Sequence, residues 1–175
     1  MKINTRNLIT AAVVGALYAV LTMVLAPISY GALQFRVSEV LCILPFFMPF
    51  TAWGLFAGCI VANLMSTAGV LDVVFGSLAT LITCLCIAWC GKKGNTLKTR
   101  LLACLMPVVW NGIIVGATLT IALAGLNPLT HFGAFLVFVG EVALGELGVM
   151  YLIGLPLMTY LPKQRFFSEF VDKHS

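Results

Sequence analysis

The basic residues of this chain are not spread along it. All of them except Arg36 gather in three places, and long apolar stretches lie between. Lys2 and Arg6 precede the first apolar run, Lys92, Lys93, Lys98 and Arg100 fill one short loop, and Lys163, Arg165 and Lys173 follow the last run. Only 9% of the 175 residues are charged and 61% are hydrophobic, whereas a soluble domain carries about 25% charged residues. The pattern is that of an integral membrane protein. A soluble catalytic domain, a nucleic-acid surface and a long disordered tail are excluded by the same numbers. The formal net charge of +4 reflects where loops lie and says nothing of an acidic partner.

Positive residues in short loops mark the cytoplasmic side of a membrane protein. All three basic clusters are therefore expected inside, which requires an even number of crossings between Lys2 and Lys92 and again between Arg100 and Lys163. The second half holds two runs, Leu101 to Leu123 and Phe132 to Tyr160, broken around Gly125 and Pro128. In the first half two crossings would strand about 40 apolar residues, given about 20 per span, so four fit better. The expectation is a single-domain, all-α bundle of six transmembrane helices over residues 1–175, with both termini cytoplasmic. The helices are placed near 8–25, 37–48, 51–65, 71–90, 101–123 and 132–160, the second and third being short for a full crossing. The N-terminal run of about 18 residues exceeds the roughly 7–15 of a cleavable signal core, so it is read as a retained span. The tail at 162–175, where Phe166, Phe167 and Phe170 alternate with charges, is expected on the inner membrane surface.

An ionisable side chain in a spanning helix costs at least about 2.5 kcal/mol on insertion scales, so each one needs a partner or a task. In the orientation above, Arg36, Glu39, Asn63, Asp72 and Glu141 fall toward the outer face, with Asn111 and Glu146 nearer the middle. Together they outline an outward-facing pocket for a small polar solute. Arg36 and Glu39 are three apart and can simply pair. Asp72 can cap its helix, and Asn63 and Asn111 can bond neighbouring helices. Glu141 and Glu146 are about 140° apart around a helix of 3.6 residues per turn, so one of them is expected to face the pocket. Glu141, being shallower, is preferred. The carboxylates outnumber the cations, which favours a ligand with a positive charge or several N–H donors.

Small residues recur at four-residue spacing, as Ala11, Gly15 and Ala19 beside Ala12 and Ala16 on the first helix, and Gly54, Gly58 and Ala62 on the third. Such rows let helix backbones approach closely. On the third helix packing inside the bundle suffices, whereas the double row on the first is wide enough for a partner membrane protein. The six cysteines lie in or at the ends of apolar runs without a CxxC pair, and are read as small buried hydrophobes. Phosphate-loop, HExxH and GxSxG motifs are absent from the sequence. No catalytic residue, metal site or cofactor is expected, and ATP hydrolysis would have to come from elsewhere.

The segment LAPISYGALQFRVSEVLCILPFF at Leu25 to Phe47 resembles the signature of the queuosine-precursor transporter family, substrate-binding S components of energy-coupling factor importers. GLFAGCIVANLMS at Gly54 to Ser66, LDVVFGSLATLI at Leu71 to Ile82, WNGIIVG at Trp110 to Gly116 and VGEVALGELGVMYLIGLPLM at Val139 to Met158 are similar too. The resemblance implies an enzymatically inactive, high-affinity binding subunit in a bacterial cell membrane. It implies a queuine or 7-deazaguanine ligand, a transmembrane T component that meets helix 1, and two ATPase subunits. A guanine-type edge offers a ring N–H and an exocyclic amino group that one carboxylate accepts together. For that ligand, Glu141 or Asp72 is expected at the base edge and Glu39 or the other carboxylate at an amine. Gln34, Asn63 and Asn111 would orient the ring, and Tyr30 or Phe35 would cover it. Alternatives are another vitamin ligand, a stand-alone facilitator without an ATPase partner, and a structural subunit.

Overall fold

A computed structural model describes residues 4–31 and 34–174, and among them every regular element is helical. Lys2 of the first basic cluster lies outside the described residues. Helix α1 (Thr5–Val24) starts where the Asn4 side chain accepts the Arg6 N–H at 3.2 Å, and a short α2 (Ala26–Ser29) follows with Pro27 in its first turn. After a non-helical stretch at Gln34 to Arg36, a 3₁₀ helix (Val37–Ile43) continues into α3 (Leu44–Phe47). The change of helix type has a local cause. Pro45 lacks the N–H that would bond the Leu41 carbonyl in an α-helix, and the Leu44 N–H takes that carbonyl instead.

Helix α4 (Thr51–Asn63) comes next, then a π-helical turn (Asp72–Gly76) leading into α5 (Ser77–Lys92) and α6 (Leu97–Ala122). Helix α7 (Phe132–Val149) passes through a second π turn (Met150–Gly154) into α8 (Leu155–Tyr160) and a 3₁₀ turn (Leu161–Lys163), and α9 (Arg165–Asp172) closes the described chain. Four helical stretches, Thr5–Val24, Asp72–Lys92, Leu97–Ala122 and Phe132–Lys163, are long and apolar enough to cross a membrane. The apolar segments Val37–Phe47 and Thr51–Asn63 are shorter. At about 1.5 Å per residue each stops well short of the roughly 30 Å of hydrocarbon.

One boundary departs from the sequence reading for a visible reason. Helix α6 starts four residues before the expected Leu101, because Thr96 Oγ1 accepts the Thr99 N–H while Thr99 Oγ1 accepts the Thr96 N–H. This reciprocal cap puts Lys98 and Arg100 in the opening turns of the helix and leaves a shorter basic loop.

Apolar helices in lipid gain little from hydrophobic burial against one another, so close backbone packing holds them. Gly15, Gly54 and Gly58 let α1 lie against α4 so tightly that a Cβ on any of them would overlap the facing backbone carbonyl. Gly91 does the same for α5 against Phe46. Tyr18, Leu55, Cys59, Ile87, Met150 and Met158 fill the centre. At one end of the bundle α9 and the residues after it meet α1 and α3, with Thr10 Oγ1 3.1 Å from His174 Nε2 and Phe47 edge-on to Phe167. Replacing Gly54 by Val is expected to cost at least about 2 kcal/mol, as overpacking does, read as a fall in Tm of the detergent-solubilised protein. Ala57→Val, on the exposed side of the same helix, should change Tm little.

Candidate functional site

The polar groups converge at the end of α4. Asn63, in its last turn, donates from Nδ2 to the Asp72 backbone carbonyl at 2.9 Å, which ties α4 to the π turn. That turn brings the Asp72 carboxylate over Gly76, where a Cβ would collide with Asp72 Oδ1 and the Asn63 amide. Arg36 enters from the non-helical stretch and donates from Nη2 to Asp72 Oδ2 at 3.0 Å, both side chains being buried. Gln34, two residues earlier, holds φ at 47°, a left-handed conformation uncommon outside glycine. The Tyr30 hydroxyl donates to the Ala62 carbonyl, and its ring lies 5.5 Å from the Arg36 guanidinium. Burial pushes the Tyr30 phenol above its ordinary range, with the Arg36 charge opposing and Asp72 adding, so it stays a protonated donor. Phe35 packs on Gly148 of α7, where a Cβ would come within 3.0 Å of the ring.

From the other side, Asn111 of α6 donates from Nδ2 to Glu146 Oε1 of α7 at 2.6 Å. Between the two groups lies a narrow, partly open gap lined by Gln34, Arg36, Gly76, Thr80, Asn111, Val115, Val142 and Glu146, with no room for a water molecule as it stands. Several buried polar atoms in and beside it have no hydrogen-bond partner among the described residues. They are the acceptors Gln34 Oε1, Asn63 Oδ1, Asp72 Oδ1, Asn111 Oδ1 and Glu146 Oε2, and the donor Arg36 Nε. A buried polar atom left unpaired costs about 1–3 kcal/mol, so the cluster marks a candidate site. It is rich in acceptors and short of donors.

Several expected placements change. Arg36 pairs with Asp72 and not with Glu39, because the extended backbone before the 3₁₀ helix carries the guanidinium away from its own turn. Asp72 makes no helix-capping bond. Glu39 is fully buried but lies behind the lining, where Oε1 accepts from the Tyr18 hydroxyl at 2.5 Å and Oε2 from the Cys42 thiol at 3.0 Å. Of the α7 pair, Glu146 faces the space and Glu141 is half-buried outside the lining, the reverse of the preference argued from depth. Asn63 and Asn111 do bond neighbouring elements, yet each keeps an unused carbonyl oxygen. Ala11, Gly15 and Ala19 are buried while Ala12 and Ala16 stay exposed. With Ala57 and Val61, those two line a shallow apolar groove of about 480 Å³ on the outer surface between α1 and α4.

The sequence reading missed Gly76, Thr80, Val115 and Val142. Gly76 and Thr80 follow Asp72 at successive four-residue steps, which places all three on one helical face. That spacing was the available signal.

Residues 8–163 match the family described as QueT transporter. The queuosine precursor transporter QueT of Lactococcus lactis subsp. cremoris (strain MG1363) is 43% identical over 83 residues, covering 46% of this chain and 48% of that protein. The chain thus spans about half the length of this curated relative. No solved structure matches. The geometry alone makes a prediction about Asp72. Asp72→Asn strands the buried guanidinium and should lower stability by about 3–5 kcal/mol, whereas the double variant Arg36→Met, Asp72→Leu should recover most of it. Thermal unfolding in detergent distinguishes the two.

Proposed function

The chain belongs to the QueT transporter family, and from that premise we propose that it binds a queuosine precursor, a 7-deazaguanine base, for import across a bacterial plasma membrane. The observation that carries this reading is the set of unused acceptors on Gln34, Asn111 and Glu146 around one narrow gap, with the Arg36 Nε donor among them. A guanine-type ring carries adjacent N–H donors on one edge and a carbonyl acceptor beside them, which complements such a set. Glu146, oriented by Asn111, takes the ring N–H and the exocyclic amine. Arg36 donates to the ring carbonyl, and the unused Asp72 Oδ1 meets an aminomethyl cation. Gly76 leaves room for the ring, and Tyr30 and Phe35 cover it.

The gap is too narrow for the ring as it stands, so the ligand enters when Tyr30, Phe35 and Arg36 move aside. The Arg36–Asp72 pair, the Tyr30 hydrogen bond and the Phe35 seat are contacts that such an opening breaks. In the membrane the chain makes six crossings with both ends of the helical region cytoplasmic. Interfacial Trp and Lys residues mark membrane boundaries, and Lys93 Nζ lies 3.4 Å from the Trp89 ring centroid at the basic end of α5. The sequence carries no phosphate loop. The resemblance to S components implies that energy comes from two ATPase subunits of an energy-coupling factor complex through a T component docked along Ala12, Ala16 and the neighbouring α4 surface.

Calorimetry on the purified protein with an aminomethyl-7-deazaguanine tests the site. Glu146→Gln should weaken binding at least about tenfold, since a charged hydrogen bond contributes about 1.5–3 kcal/mol, while Glu141→Gln should leave affinity within about twofold. The opposite pattern would refute the assignment of Glu146.

A further inference from the structure

We propose a binding site for one anionic phospholipid where α1 begins and α9 ends, an assignment that needs the chain in a bilayer but does not depend on the deazaguanine reading. An open cavity of about 630 Å³ is lined there by Arg6, Ile9, Thr10, Phe170, Lys173 and His174. Neither Arg6 nor Lys173 is in an ion pair among the described residues. The acids of α9 do not line the cavity, and Glu169 is taken up by Arg165 at 2.9 Å. Among the described residues, positive charge thus gathers with no acid in the lining. The first turn of the 20-residue helix α1 adds the partial positive charge of a helix N-terminus.

The aromatic side of the cavity is built. His174 is fixed by three contacts, with Nε2 3.1 Å from Thr10 Oγ1, Nδ1 2.7 Å from the Phe170 carbonyl, and its ring stacked on Phe50. The floor is therefore in place before any ligand arrives. Below the cavity Ile9, Val13, Leu17 and Val20 of α1 are each more than half exposed and follow one another at spacings of three and four, forming an apolar ridge along one side of the helix. Phe166 is 82% exposed on α9, an amphipathic helix of the kind that lies in the plane of a membrane surface. A phosphate head group meets Arg6 and Lys173 while an acyl chain lies along the ridge. Basic pockets at the cytoplasmic membrane face bind anionic lipid in this way. Charge complementarity excludes a zwitterionic lipid as the preferred occupant, and the ridge sets a lipid apart from free phosphate.

Native mass spectrometry of the detergent-purified full chain, titrated with dioleoyl-phosphatidylglycerol, dioleoyl-phosphatidylcholine or inorganic phosphate, tests the site. One phosphatidylglycerol should stay bound under activation that strips phosphatidylcholine, and inorganic phosphate should not displace it. The variant Arg6→Gln, Lys173→Gln should lower phosphatidylglycerol retention about tenfold or more. Lys98→Gln, Arg100→Gln, which removes the same charge elsewhere, should leave it unchanged. Equal retention by the first variant, equal loss in the second, or displacement by inorganic phosphate overturns the proposal. Deazaguanine affinity should be the same in both variants, so failure here is separable from failure of the ligand site.

Discussion

A guanidinium and a carboxylate 3.0 Å apart, both shut away from solvent, organise this bundle. Removing two charges from water costs several kcal/mol per ion, and a lone pair contact recovers that only when the remaining polar atoms are satisfied as well. Here Arg36 Nε and Asp72 Oδ1 are left over. The pair therefore does little for stability that apolar side chains would not do better. What it does is fasten the segment after α1, which has little regular structure of its own, to the π turn at the head of α5. The same two side chains leave one donor and one acceptor unpaired beside the gap.

Around that pair the fold divides its labour. Small residues bring α1 onto α4 and α5 onto α3, which fixes the helices that carry Tyr18, Cys59 and Asn63. The Tyr18–Glu39 and Thr22–Ser38 bonds anchor the 3₁₀ helix from below. The stretch from Gln34 to Arg36 thus leads into a firmly held helix. A π turn widens the helix where Asp72 and Gly76 face inward, and π turns recur at functional sites because the extra residue re-aims side chains. Asn111 holds Glu146 from a separate pair of helices, so the site is drawn from both halves of the chain.

The broad architecture was legible because it follows from sums over many residues. Apolar length gave the long helices, and the shortness of the segments near 37 and 51 was visible as well. The buried polar residues were legible as a set but their partners were not. Arg36 meets an acid 36 positions away, and local spacing pointed to Glu39 instead. The choice between Glu141 and Glu146 failed for a related reason. Depth along a helix is readable from sequence, whereas rotation about its axis is fixed only by what packs beside it, here Val139 and Ala143 against the glycines of α6. The small-residue rows divided on the same principle, one row going inside against α4 and the other staying at the surface.

The central claim is that the unused acceptors exist for a ring edge rich in N–H donors. Mass spectrometry of the small molecules released from protein purified out of its own membrane tests that most directly. A stoichiometric base with the guanine pattern of ring N–H and exocyclic amine is the result this account predicts. A reproducible bound solute lacking that donor edge would contradict it.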